Sequence, residues 1–384
     1  MATEGELTVR LAWDGRRVRQ VTVRSTRPFA ATRLLTGKAA AEAAATVPLL
    51  FSICGGAQGA AAAGALDAAG AVGIKAEGAA RDTRLLLESL QEGFWHLLID
   101  WPNAIGGAPV TTPVAAARHR IAASARGPDG AVRWGDAAAM RELGAGLSGL
   151  AAQAIFGLPP ARWLEIGEQG ELEAWIARGA TIPAILLGHV LAETPTLCAS
   201  EVALMPMPRT DALLRFIAPA LRHDPEFVRA PTWAGTPVET GALARRRDHP
   251  LVAALAAQYG HAVVTRIVAR MAELALLLLE LAGSAPRPDA LPRVQLCPLD
   301  TDEGLAAVET ARGLLLHRAR LRNGRVADYQ IVAPTEWNFH PEGALTRGLV
   351  GLAANDGPTL VRHARLAVHA LDPCVGCQVE VGHA

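Results

Sequence analysis

Along residues 6–24, Leu7, Val9, Leu11 and Trp13 alternate with Thr8, Arg10 and Ala12. Asp14-Gly15 then offers a turn, and Val21 and Val23 resume the alternation. This period of two around a turn pair predicts a β-hairpin. The period then lengthens. Residues 28–48 are Ala-rich and predict a helix ending before Pro48, and a Gly/Ala-rich run over 57–71 predicts another. Over 82–101, Leu85, Leu86, Leu90, Phe94 and Leu97 fall on one side of an amphipathic helix. Residues 102–113, with three prolines, predict a loop. From 137 to about 280 the pattern is mostly helical, with breaks at Pro159-Pro160 and Pro231-Thr232. A Pro-rich linker or crossing loop is expected over 283–299. A second hairpin comes next, Leu314–Leu321 and Val326–Val332 around Asn323-Gly324. After Pro334-Thr335-Glu336-Trp337-Asn338, short helices are expected near 346–354 and 358–370, ahead of the tail.

Periodicity alone thus predicts an α+β, predominantly helical fold. Three stretches divide it: an N-terminal hairpin and helix (1–50), a helical core (51–282) and a C-terminal part with the second hairpin and the tail (283–384). The most apolar segment, Ala262 to Ala282, is interrupted by Arg266, Arg270, Glu273 and Glu280. Those charges predict a packed core helix rather than a membrane span. With 384 residues, 51% of them hydrophobic, the chain can bury a large core. A formal net charge of zero gives no reason to expect a nucleic-acid or membrane surface. Lys38 and Lys75 are the only lysines, which carries no functional message.

Candidate chemistry lies in the cysteines. Their number is five (Cys54, Cys198, Cys297, Cys374 and Cys377), and an odd count in a large chain argues for a reducing compartment rather than a disulfide scaffold. With no signal peptide recognised, a cytoplasmic protein is expected. Cys374 and Cys377, behind Pro373 and separated by Val375-Gly376, can turn onto one soft metal ion. A surface redox pair or an incidental pairing has the same spacing. Cys54 precedes a helix, where the dipole is expected to ease loss of its proton, although a small buried hydrophobe is the plainer role. Cys198 and Cys297 are expected in the core, His96 in packing, and Arg245-Arg246-Arg247 on a solvated loop. The Gly55-Gly56 pair lacks the Lys-Ser/Thr of a phosphate loop.

Several motifs in order change this picture. They are Glu4-Gly5-Glu6 in the first hairpin, Ser52-Ile53-Cys54-Gly55-Gly56-Ala57, Arg312-Gly313 ahead of His317, Tyr329-Gln330, Pro334-Thr335-Glu336-Trp337-Asn338 and Asp372-Pro373-Cys374-Val375-Gly376-Cys377. The chain resembles the large subunit of nickel–iron hydrogenases over nearly its whole length. The resemblance implies that Cys54 and Cys374 match terminal nickel ligands and Cys377 a thiolate that also bridges to iron. It implies that Arg312 and Thr335 match residues that hydrogen-bond the iron's cyanide ligands, with Asp372 beside them.

The departures are equally informative. The second bridging position is Ala57, Ser52 replaces an Arg, Ala311 replaces a Pro, and Glu380 replaces the His of the enzyme tail. Glu4, a proton gate in the enzymes, is expected to be a relic. Without a fourth thiolate, neither hydrogenase activity nor a nickel site is expected, and no catalytic residue is assigned. With the chain stopping at Ala384, no cleavable extension is expected either. This combination resembles the accessory proteins of hydrogenase maturation. It implies a scaffold or chaperone that transiently holds an Fe(CN)2(CO) fragment through Cys377 with Cys374 or Cys54, with Arg312, Thr335 and Asp372 around it. Its expected partners are the hydrogenase large-subunit precursor and the maturation chaperone that delivers the fragment. A structural zinc site at Cys374, Cys377 and His383 with Cys54 or Cys297, and a metal-free mimic of the large subunit, are the alternatives.

Overall fold

The computed structural model describes residues 5–51, 53–74, 78–124, 134–284 and 292–384. Glu4, Ser52 and part of the expected 283–299 linker lie outside the described residues. The first hairpin forms as the alternation requires, with β1 (Glu6–Trp13) antiparallel to β2 (Val18–Ser25). Leu7, Val9 and Leu11 are buried along one side of β1. Two short strands, β3 (Ala203–Leu204) and β4 (Val238–Glu239), pair in parallel. The second hairpin is the outer half of a four-stranded antiparallel meander. Its strands are β5 (Val294–Asp300), β6 (Glu303–Thr310), β7 (Gly313–Arg322) and β8 (Arg325–Val332).

Several expectations are corrected. The helix expected over 28–48 is a 3-10 segment, Phe29–Leu35, followed by an α-helix, Ala40–Leu50, that contains Pro48. Proline is tolerated there because only the last turn follows it, and its ring packs against the bare Cα of Gly59, where a Cβ would come within 3.2 Å of Pro48 Cγ. The amphipathic helix runs Ala79–Trp95 and continues through a π turn, His96–Asp100. The expected 102–113 loop yields to the helix Thr111–Ser124, with Pro113 in its first turn, where a missing N–H costs nothing. The linker gives way to β5 at Val294. The helix expected near 346–354 is Ala344–Leu349.

The tail is the larger surprise. Gly376–His383 forms β9, an added strand running parallel to β1, with Glu6 opposite Gly376 and Trp13 opposite His383. Cys377, Val379 and Val381 alternate with Gln378 and Glu380, a period of two that is easily passed over because the stretch is short and mostly exposed. The main core runs from Leu7 to Val375, centred on the helix Val263–Leu281. Among the described residues, no single helix is long and apolar enough to cross a membrane.

The meander is buried on both faces. Val308, Leu315 and Ile331 meet the Gly55–Ala68 helix, while Leu305, Leu314 and Leu316 face a second cluster around Phe227 and Trp337. Small residues let that helix settle almost onto the strand backbone. A Cβ on Gly304 would stand 2.4 Å from Ala65 O and 2.4 Å from Ala69 N. Backbone, not a flexible side chain, blocks it. We therefore expect Gly304→Ala to lower stability by about 2–3 kcal/mol, read as a shift in the urea midpoint, whereas Gly324→Ala, with nothing within 4 Å, should cost less than the Gly304 change.

Candidate metal-fragment site

Cys54 caps the start of the Gly55–Ala68 helix, which the meander holds in place. Cys374 and Cys377 arrive from the opposite end of the chain. The helix Gly357–Leu371 ends in Asp372, whose φ of +49° turns the chain sharply before Pro373. Pairing of β9 with β1 then fixes the position of Cys377.

The sulfurs occupy two different spaces. Cys54 and Cys374 line a narrow pocket of about 10 Å³ with Arg27, Phe51, Ile53, Gln58 and Val375. Cys374 also lines a wide cleft of about 770 Å³, shared with Cys377, Arg312 and Asp372. Glu92, Asp100, Arg118, Arg365 and His369 form other parts of its wall. Thus Cys374 faces both spaces, with Cys54 on the narrow side and Cys377 on the wide side.

Cys374 is gripped from three directions. Its backbone N donates to Thr335 Oγ1 at 3.1 Å, its Sγ lies 3.0 Å from the same hydroxyl, and Arg27 Nη1 donates to Sγ at 3.1 Å. Thr335 is placed by the helix Pro334–Asn338. Arg27 was not flagged by the sequence, since Ser25-Thr26-Arg27-Pro28 matches no motif. Its guanidinium is anchored by Glu336 at 3.2 Å, and Glu336 in turn accepts from the Ala333 backbone.

Cys54 differs from expectation. Burial pushes its thiol up to about 12, with Cys374 and Glu88 adding to the rise. The helix dipole is outweighed by desolvation. Gln58 Nε2 donates to Cys54 Sγ at 3.5 Å and Gln58 Oε1 accepts from His317 Nε2 at 2.9 Å. His317 Nδ1 therefore accepts from the Tyr329 hydroxyl at 2.7 Å. Burial also pushes Cys377 up to about 12, reinforced by Glu6. Ala57 is buried, and the Gly56 and Ala57 amides donate to Glu88 at 2.7 and 3.1 Å. Burial raises Glu88 to about 7, only partly offset by those two amides.

Arg312 donates from Nε to Asp372 at 3.2 Å and pairs through Nη2 with Glu92 at 2.7 Å. Asp372 also meets Arg270 at 3.1 Å. Burial opposes its ionisation, but the two guanidiniums outweigh it and hold the carboxyl well below the ordinary carboxylate range. His96, Asp100 and Asp372 offer ligand atoms within 4.8 Å of one another. Two arginines already balance Asp372, and His96 Nε2 lies 2.8 Å from the His369 carbonyl. This is an ion-pair cluster, poorly suited to a further cation.

Other expected residues fall outside the site. Cys198 and Cys297 are buried in the core. His383 sits six residues beyond Cys377 on one extended strand, about 20 Å away, so both cannot reach one zinc ion. Glu380 pairs with Arg10 on the surface at 2.8 Å. The Arg245–Arg247 run is not a solvated loop: Arg246 is buried and Arg245 nearly so, bidentate on Glu273 and paired with Glu309, because the helix they sit on packs against the core.

Residues 222–380 match the nickel-dependent hydrogenase family. The chain is 32% identical to the hydrogenase expression/formation protein HoxV of Cupriavidus necator, across 92% of this chain and 91% of that one. It is likewise 32% identical to the hydrogenase expression/formation protein HupK of Azotobacter vinelandii, across 99% of each. Among solved structures, the Ni-Fe-Se hydrogenase from Desulfomicrobium baculatum superposes with a TM-score of 0.57 at 17% identity, covering 96% of both chains. That from D. vulgaris Hildenborough gives 0.56 at 18%, covering 94% of both.

The buried His317 beside this site makes stability acid-sensitive. Burial lowers it to about 3, so the folded protein keeps it neutral while the unfolded chain takes up a proton below its ordinary value of 6.5. Its contribution is complete above pH 6.5 and lost as pH falls. We expect a loss of roughly 2 kcal/mol by pH 5, measured by urea unfolding, and a flatter profile in His317→Gln.

Proposed function

Since this chain belongs to the family of hydrogenase expression/formation proteins that includes HoxV and HupK, and shares the large-subunit fold, we propose that it is a non-catalytic scaffold of hydrogenase maturation. It holds an Fe(CN)2(CO) fragment as cargo and passes it to a hydrogenase large-subunit precursor. A maturation chaperone supplies the fragment.

The observation that carries this reading is the division of the sulfurs between two spaces. A 10 Å³ cavity holds at most one water-sized group, too little for an iron bearing three diatomic ligands. The 770 Å³ cleft has the room, and there Cys374 and Cys377 converge with Arg312 and Asp372. We assign iron to Cys374 and Cys377, since thiolates suit low-spin iron. Arg312, already oriented by Asp372 and Glu92, is a rigid donor for a cyanide nitrogen. Thr335 acts one step removed, because its hydroxyl is engaged with Cys374. Cys54, on the narrow side, holds Gln58 rather than iron. With Ala57 in the fourth position, two sulfurs grip the cargo, and a two-sulfur site releases it more readily than a four-sulfur cage.

Infrared spectra of the protein co-produced with the maturation machinery should show cyanide and carbonyl bands. The bands should vanish in Cys377→Ala and Cys374→Ala and persist in Cys54→Ala. Absence of bands in the wild type, or zinc at one per chain without iron, would overturn the assignment. If Cys374→Ala still supports hydrogenase formation in cells, the metal-free mimic is the correct reading instead.

A further inference from the structure

A fixed positive charge stands against the sulfur pair, and nothing in the proposed iron chemistry uses it. Arg27 Nη1 is 3.1 Å from Cys374 Sγ, and the guanidinium lines the narrow pocket together with Cys54. Its other side lines a separate cleft of about 260 Å³ with Arg33, Arg229 and Tyr329. Arg27 is therefore the partition between that cleft and the two sulfurs. It is only 8% exposed and tied to Glu336, itself 5% exposed.

We propose that Arg27 determines the metal specificity of this pocket, excluding divalent cations from the Cys54–Cys374 pair so that Cys374 stays available to an anionic iron complex in the wide cleft. This rests on the cargo reading above and adds how the site rejects free metal ions. Two neighbouring thiols otherwise invite soft divalent ions such as zinc, nickel or cobalt. An ion bonded to Cys374 at about 2.3 Å on the Cys54 side would sit within roughly 5 Å of the guanidinium. Cys374 and the Arg27 guanidinium are both largely buried, so water screens that repulsion weakly. Arginine does not shed its proton to relieve it. A cyanide-bearing iron complex is anionic and approaches from the other side of the same sulfur.

The test uses purified full-length protein made without the maturation machinery, titrated with cobalt(II) under reducing conditions. Thiolate-to-cobalt charge-transfer absorption in the near ultraviolet is the readout. We expect no such band from the Cys54–Cys374 pair in the wild type, and one equivalent bound at least tenfold more tightly in Arg27→Met. The band should disappear in Arg27→Met combined with Cys54→Ala. Arg27→Lys should still exclude cobalt, which separates charge from mere space-filling. A wild-type band that depends on Cys54 would overturn the proposal without any Arg27 variant. So would an Arg27→Met protein, folded by circular dichroism, that gains no cobalt. If Arg27→Met does not fold, Arg27→Gln removes the charge while keeping hydrogen-bonding groups. Cyanide bands that survive alongside a failed cobalt result would leave the cargo reading standing and this inference alone refuted.

Discussion

The site exists because the last strand of the chain pairs with the first. β9 lies parallel to β1 over eight residues, from Glu6 opposite Gly376 to Trp13 opposite His383. That ladder fixes Cys377 at its start and holds the Asp372–Cys374 turn against the Gly55–Ala68 helix. Parallel strands cannot be joined by a tight turn. Here almost the whole chain is the connection, so the pairing, and with it the site, depends on the entire fold.

A buried charge cluster reinforces the junction. Asp372 is shared by Arg312 at the start of β7 and Arg270 on the central helix, and Arg312 reaches on to Glu92. Each partner comes from a different element. Removing one would leave the others charged and dry, a loss that typically reaches about 3–5 kcal/mol. The same groups thus hold the tail in place and present a donor to the cleft. Cys374 sits at the meeting point, held by Thr335 and Arg27 on its narrow side and open to the cleft on the other. Family membership places the chain among hydrogenase expression/formation proteins, and its fold is that of the hydrogenase large subunit.

Much of this was legible in the residues. The Leu7–Trp13 alternation, the Asn323-Gly324 turn and the amphipathic stripe of Leu86, Leu90 and Phe94 each encode their element locally, since side-chain period follows from backbone geometry. The ordered motifs placed Cys54, Cys374, Cys377, Arg312, Thr335 and Asp372 in one family context. Ala57 was visible as a missing donor. The burial of charged residues was not. Arg245-Arg246-Arg247 looks like a solvated loop because charge is usually exposed, and only the acids brought in from Glu273 and Glu309 make its burial tolerable.

The sequence by itself determined the two hairpins, the amphipathic helices and the inventory of thiols, because these are matters of local period and residue identity. The tertiary structure decided how the thiols are divided: Cys54 on a narrow pocket, Cys377 on a wide cleft, Cys374 between them. It also decided that Cys54 is held high by burial despite its helix N-terminus, and that Arg27 faces Cys374 from 347 residues away. No local pattern carries such facts. Desolvation and the approach of distant groups are properties of the space the whole chain encloses, and they come into being only when it closes.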